Sequence, residues 1–119
     1  QVMMVVPELN SLGTPLTDMI KERVPWCNIQ GHITSNKSKN EIVNSLQVEF
    51  ERREIRIMND EKQLQHLSTY AVQFNPKTRT ITYNAPQGLN DDCCIALALS
   101  WKALSSTNNT GNYIISFSK

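Results

Sequence analysis

The chain has 119 residues, 39% of them apolar and 19% charged, a composition typical of one soluble domain with a modest core. Twelve basic and eleven acidic residues give a net charge of +1, so any nucleic-acid contact requires a local basic patch. The cysteine pattern suits no disulfide framework, so we expect a protein of a reducing compartment. The apolar runs are too short to span a membrane, and the first ten residues do not resemble a signal peptide. We therefore expect a protein that is neither secreted nor membrane-bound.

The first elements in chain order are a strand, a helix and a second strand. Residues 2–6 are an apolar run rich in β-branched side chains, which predicts a buried central strand over 2–8. Because such a strand needs neighbours on both sides, we expect the chain to be cut from a longer one. A short helix is predicted from Pro15, with Leu16 and Met19 on one apolar face. Residues 26–34 alternate loosely and predict the second strand.

Three helices and a further strand are predicted next. Ser38, with an acid three residues later, forms a capping-box pattern at the start of one helix. Asp60 is predicted to cap another, whose apolar residues repeat at helical spacing as far as residue 74. Residues 77–84 alternate with period two and predict a strand or hairpin arm. Residues 91–104 predict a helix that is apolar nearly all round, hence buried on several sides. The order is α/β in character.

The end of the chain is polar before it becomes apolar again. Residues 105–112 form a Ser/Thr/Asn tract, and residues 113–119 predict a terminal strand or a tail. A long apolar strand at a sheet edge recruits another chain, so we expect self-association through strand 2–8, or alternatively a fold-back of 113–119 onto that edge. Both tryptophans are predicted to lie in the core, and His66 on an exposed helix face.

Two acids, Asp91 and Asp92, directly precede the last helix, and two interpretations remain open. Acids in a first helical turn are stabilised by the helix dipole by about 0.3–1 kcal/mol, so capping alone explains them. However, this helix is apolar enough to carry its start close to the core, and Glu8 ends a predicted buried strand, where α/β proteins place their sites. Converging carboxylates suit Mg²⁺ or Mn²⁺. A two-metal site needs more carboxylate than Glu8 and one of the two aspartates supply, so a third acid is expected.

Basic residues give a weaker indication of DNA binding. Lys37 and Lys39 flank Ser38 at a predicted helix start, where backbone N–H groups and positive charge can hold a phosphate. An ordinary solvated helix start explains them as well.

Three segments together resemble a known family. They are VVPELNSLGTPLTDMI, SNKSKNEIVNSL and ITYNAPQGLNDDCCIALALSWKAL. In this order and spacing, over about residues 2–104, they resemble the C-terminal nuclease domain of the large terminase subunit of tailed bacteriophages. The first resembles that family's acid-Asn-Ser-x-Gly strand end, and the second its lysine-containing helix start. The third resembles its Tyr-x-Ala-x-x-Gly segment, which runs into an Asp-Asp pair and an Ala-Leu-Ala helix.

The resemblance implies an RNase H-like fold, a mixed sheet with flanking helices, in which three acids hold divalent metal ions. It assigns the second acid to Glu8 and the third to Asp91 or Asp92, whereas no residue here matches the first acid. The usual first strands have no counterpart either. Residues 1–104 are then expected to be a partial nuclease domain, and residues 105–119 a polar tract with a tail or strand. We expect this chain alone to be inactive.

The same resemblance implies the activity and partners of the parent protein. It would be a metal-dependent DNA endonuclease that uses Mg²⁺ or Mn²⁺ to cut concatemeric double-stranded viral DNA during genome packaging. The expected partners are double-stranded DNA, the ATPase domain and first strands of the same subunit, the small terminase subunit and the portal. The expected location is the cytoplasm of the bacterial host.

Two alternatives to terminase remain open. Another RNase H-like nuclease, such as a junction resolvase, would use the Asp-Asp pair and its helix equally well, although the stretch around Glu8 argues for terminase. A non-catalytic binding or assembly module would keep the fold without the chemistry, and the missing first acid supports it.

Overall fold

The computed structural model describes residues 4–85, 90–107 and 114–115. This part of the chain is mixed α/β, as the sequence predicts, with four helices and six short strands that pair two by two. In chain order the elements are β1 (Met4–Val5), α1 (Gly13–Arg23), β2 (Asn28–Ile29), α2 (Asn36–Glu51), β3 (Arg56–Ile57), α3 (Glu61–Thr69), β4 (Ala71–Asn75), β5 (Thr80–Asn84), α4 (Asp92–Ser106) and β6 (Ile114–Ile115).

The first two strands, β1 and β2, pair in parallel, and α1 is the crossover that connects them. Pairing continues to Glu8, which bridges His32, and the His32 N–H donates to the Pro7 carbonyl at 2.8 Å. The predicted burial of strand 2–8 is wrong for its described part, since residues 4–7 are half-buried and Glu8 is exposed. Among the described residues β2 is the single strand paired with β1, so β1 lies at a sheet edge.

Helix α1 begins at Gly13, two residues before its predicted start. Two residues of its apolar face are exposed, Leu16 at 57% and Met19 at 52%, whereas Ile20 on the same face is half-buried. The helix instead buries Thr17, whose hydroxyl donates to the Gly13 carbonyl at 2.6 Å. Trp26, predicted to lie in the core, is 63% exposed. Helical spacing shows which residues share a face, but it does not show whether that face meets the core.

Helix α2 begins three residues earlier than predicted, because Ser35 rather than Ser38 is its N-cap. The Ser35 hydroxyl accepts from the Ser38 N–H at 3.1 Å, and the Ser38 hydroxyl accepts from the Ser35 N–H at 2.8 Å. This is a reciprocal capping box built from two serines. The predicted capping box of Ser38 with Glu41 is therefore wrong, because the box that forms has Ser38 and not an acid at its third helical position.

Helix α3 is capped by Asp60 as predicted, since its side chain accepts from the Gln63 N–H at 2.9 Å. The helix nonetheless ends at Thr69, and the residues predicted to continue it to 74 form β4. Strand β4 pairs antiparallel with β5. Strand β5 confirms the strand predicted within residues 77–84. Pairing across the hairpin therefore overrides the local helical spacing. His66, predicted to lie on an exposed helix face, is only 7% exposed, so that prediction is wrong.

The core is built around α4, as its all-round apolar composition predicts. Leu97 and Ala98 of this helix are completely buried, at 0% exposure. Helix α4 packs against α2, α3 and β1, and its partners include Ile42 and Leu46 of α2. Trp101, also predicted to lie in the core, is half-buried and packs against the core from its margin.

The described part of the terminal segment, β6, pairs in parallel with β3 and not with β1. The predicted fold-back of 113–119 onto the edge of strand 2–8 is therefore wrong for Ile114 and Ile115. In the described ranges, every helix falls short of the length and apolar character that crossing a membrane requires.

Candidate functional site

The turn after β1 is held by Asn10, the asparagine of the acid-Asn-Ser-x-Gly segment. Its Nδ2 donates to the Thr34 carbonyl, and its Oδ1 accepts from the Thr34 N–H, both at 2.8 Å. The carboxamide therefore satisfies both backbone groups of one residue, as a neighbouring strand would. It fastens the residues that follow Glu8 to the residues that lead into α2.

Two further residues of that segment have backbone roles. Ser11 adopts a left-handed conformation with φ of 57°, which turns the chain sharply. Gly13 lies so close to the Glu8 carbonyl oxygen that a Cβ at this position would overlap it. The segment thus folds back tightly against the end of β1, where the Glu8 side chain is exposed.

The first turns of α2 carry Lys39, whose ammonium group lies among three other segments of the chain. Its Nζ donates to Asp91 Oδ2 at 2.8 Å and to Asn84 Oδ1 at 3.3 Å. It also lies 5.8 Å from the centroid of the Tyr70 ring, within reach of cation–π attraction. The Lys39 and Asp91 side chains are 17% and 27% exposed, so water and salt screen this ion pair less than an exposed one.

The arrangement gives Asp91 and Asp92 different surroundings. Asp91 is the N-cap residue of α4, yet its side chain makes no capping hydrogen bond and pairs with Lys39 instead. Asp92, in the first turn of the helix, is exposed. The Asp91 carboxylate therefore meets a cation rather than the backbone N–H groups of α4, while Asp92 lies in the first turn, where the helix dipole favours an acid.

The start of α4 is fixed by a histidine from α3. The backbone N–H of Cys93 donates to His66 Nδ1 at 3.3 Å. This N–H is one of the helix-terminal donors that have no partner within the helix. The contact holds the first turn of α4, and with it Asp91, against α3.

Cys94 lies buried next to the Lys39–Asp91 ion pair. Burial, and after it the nearby Asp91 carboxylate, raise the pKa of the Cys94 thiol to about 11, while the Lys39 ammonium opposes them. The thiol therefore stays protonated at neutral pH and does not act as a nucleophile there.

Glu8 belongs to a neighbouring cluster formed with His32 and Lys102. His32 is 6% exposed, and its Nδ1 lies 2.8 Å from Lys102 Nζ. Burial lowers the pKa of His32, the Lys102 ammonium lowers it further, and the Glu8 carboxylate opposes both. His32 is therefore neutral at pH 7, and its Nδ1 accepts a hydrogen bond from Lys102.

Of the residues predicted for the site, Lys39 and Asp91 are in direct contact, while Lys37 and Asp92 are exposed. Glu8 pairs with His32 instead, and within the described residues no hydrogen bond or ion pair joins Glu8 to Asp91. Across 4–85, 90–107 and 114–115, no three His, Cys, Asp or Glu side chains gather as a metal-binding group.

The sequence interpretation missed three residues that shape this site. Asn84 occupies the variable position of the Tyr-x-Ala segment, so its place in the motif was a usable signal. Asn10 stands within the first motif, but nothing in the sequence shows that it pairs with Thr34. Tyr70 follows α3 and approaches Lys39 only through the tertiary fold, which leaves no sequence signal.

Comparison with known proteins adds no relative. No protein-family model matches the chain, and no curated protein or solved structure is significantly similar to it.

Proposed function

We propose that this chain is part of an RNase H-like nuclease domain of a phage terminase large subunit, which cuts double-stranded DNA with Mg²⁺ or Mn²⁺. One observation carries the proposal: side-chain contacts connect the three segments that resemble that family. Asn10 of the first binds the backbone just before the second, and Lys39 of the second binds Asp91 of the third. The contacts use one polar side chain of each segment, Asn10, Lys39 and Asp91.

The chemistry of the Lys39 surroundings supports a cation site. The ammonium group is itself a cation held by two side-chain oxygens, from Asp91 and Asn84, so these oxygens already converge on a positive charge. Carboxylate and amide oxygens are the ligands that Mg²⁺ and Mn²⁺ prefer. When bound, such an ion activates water and stabilises the leaving oxygen of a phosphodiester.

Within this proposal the residues have separate roles. Asp91, half-buried and facing the cation, is the metal ligand of the Asp-Asp pair, whereas the exposed Asp92 is not. Glu8 supplies the second acid from the end of β1. The first acid belongs to a part of the parent protein that this chain does not match, together with the ATPase domain.

The DNA contact of this chain falls to Lys37. Because Lys39 is engaged by Asp91, the exposed Lys37 is the lysine of this helix start that can meet a phosphate. The small terminase subunit and the portal remain the proposed protein partners of the parent protein, in the host cytoplasm.

Calorimetric titration of the purified chain with Mn²⁺ tests the metal site. We expect measurable binding that the Asp91→Asn variant weakens by about tenfold or more, since removing one carboxylate charge from a small oxygen site costs most of its affinity. The matched control is Asp18→Asn, which removes an exposed acid on α1 and should change the affinity by less than about twofold. Equal binding by the two variants would refute the assignment of Asp91.

A second candidate function is a non-catalytic assembly module. It is favoured by the exposed apolar face of α1 and the residue before it, where Leu12, Leu16 and Met19 are 81%, 57% and 52% exposed. Exposed apolar clusters of this kind commonly mark protein interaction sites. Self-association through strand 2–8 belongs to the same proposal. The Mn²⁺ titration separates the candidates, because an assembly module has no need of a metal ion at Asp91.

A further inference from the structure

Lys39 occupies the position that a metal ion at Asp91 would need. Its Nζ lies 2.8 Å from Asp91 Oδ2 and 3.3 Å from Asn84 Oδ1, so it already uses both oxygens that face this point. A divalent ion bound by the same carboxylate would lie only a few ångströms from the ammonium group. Two positive charges at such a separation repel strongly where water is partly excluded.

The surroundings of Lys39 give it a second anchor that is independent of Asp91. Its ammonium group lies over the face of Tyr70, 5.8 Å from the ring centroid. The lysine stem is flexible, and its head group is a compact charge with rotatable donors. Lys39 can therefore leave the carboxylate while its stem keeps its place at the start of α2.

We propose that Lys39 is a displaceable internal counterion of the Asp91 site, so that the Lys39–Asp91 ion pair and a divalent metal ion at Asp91 exclude each other. This inference rests on the proposed metal site and adds its regulation. Without metal, the lysine neutralises a half-buried carboxylate that would otherwise be costly to leave unpaired. With metal, the carboxylate is neutralised by the ion and the lysine is released.

Linkage makes the exclusion measurable in two ways, because each cation must weaken the binding of the other by the same factor. The first measurement is Mn²⁺ affinity by calorimetry. Lys39→Met removes the competing charge but keeps an apolar stem against Tyr70, and it should bind Mn²⁺ about tenfold more tightly than the natural chain. Lys39→Arg keeps the charge and should stay within about threefold of it. Lys21→Met, the matched control, removes an exposed charge on α1 and should change the affinity by less than about threefold.

The second measurement follows the lysine itself. Acetylation with acetic anhydride, read by peptide mass spectrometry, should modify Lys39 slowly in the metal-free chain and several-fold faster with saturating Mg²⁺. Lys37 should react at one rate in both conditions. Asp91→Asn should speed acetylation of Lys39 without any metal, which shows that the protection comes from the ion pair.

The outcomes distinguish this inference from the proposed function. If Asp91→Asn abolishes Mn²⁺ binding but Lys39→Met binds no more tightly than the natural chain, the metal site stands and the counterion inference is overturned. Unchanged acetylation of Lys39 at saturating Mg²⁺ overturns it as well. If neither the natural chain nor Lys39→Met binds Mn²⁺, the proposed function fails and takes this inference with it.

Discussion

Replacing Asn10 with Ala removes the two hydrogen bonds that tie the turn after β1 to Thr34. Both bonds join uncharged groups at 2.8 Å, and neutral hydrogen bonds contribute about 0.5–1.5 kcal/mol each to stability. Asn10 is exposed, so water replaces part of what the side chain provides, and the lower half of the range applies. We therefore expect Asn10→Ala to reduce the free energy of unfolding by about 1–2 kcal/mol.

Urea unfolding followed by circular dichroism measures this change, and hydrogen exchange locates it. The Thr34 N–H donates to the Asn10 side chain, so its exchange should accelerate in Asn10→Ala more than that of amides within α2. The control is Asn59→Ala, at an exposed asparagine with no side-chain hydrogen bond within the described residues, which should cost less than about 0.5 kcal/mol. If the two variants unfold at the same urea concentration and Thr34 exchange is unchanged, Asn10 does not connect the two segments.

Two further predictions concern the core and pH. Leu97→Ala should lower the free energy of unfolding by about 3–4 kcal/mol, because the completely buried side chain leaves a cavity, whereas Leu12→Ala, at 81% exposure, should change it by less than about 0.5 kcal/mol in the same urea experiment. Burial and Lys102 lower the pKa of His32 in the fold, so the unfolded chain takes up a proton more readily than the folded one as the pH falls below about 7. Stability should therefore decline as the pH falls through the folded-state pKa. Thermal melting at pH 7.5 and 5.5 should show a smaller decline for His32→Gln than for the natural chain. An equal decline in the two proteins would contradict this role of His32.

The sequence predicts best where the chemistry is local or the apolar pattern is unambiguous. Asp60 caps α3 because one carboxylate next to a helical segment suffices for a cap. The composition of α4 predicts its central place, because a helix that is apolar nearly all round is most stable when several of its sides are buried. Leu16 and Met19 of α1 show the limit, since one apolar face can meet either a core or the solvent.

The remaining features depend on pairs that are distant in the chain. Strand β4 forms because Ala71 to Asn75 pair with β5 across a hairpin, whereas the local spacing of apolar residues there predicts a helix. The Lys39–Asp91 pair joins positions 52 residues apart, so the sequence shows two candidate residues but not their contact. The parallel pairing of β3 with Ile114 and Ile115 likewise brings the middle of the chain next to a segment near its C-terminal end.

The central place of α4 also determines when this protein can fold during synthesis. Helices α2 and α3 leave the ribosome before α4, yet the apolar surface that Ile42, Leu46 and Leu67 must cover belongs largely to α4. Until residue 106 has emerged, these helices lack the helix against which they pack most extensively, and isolated helices of nine to sixteen residues are marginal in water. The described part of the nascent chain therefore buries little apolar surface until α4 appears, and a premature stop before α4 removes the helix at the centre of this core.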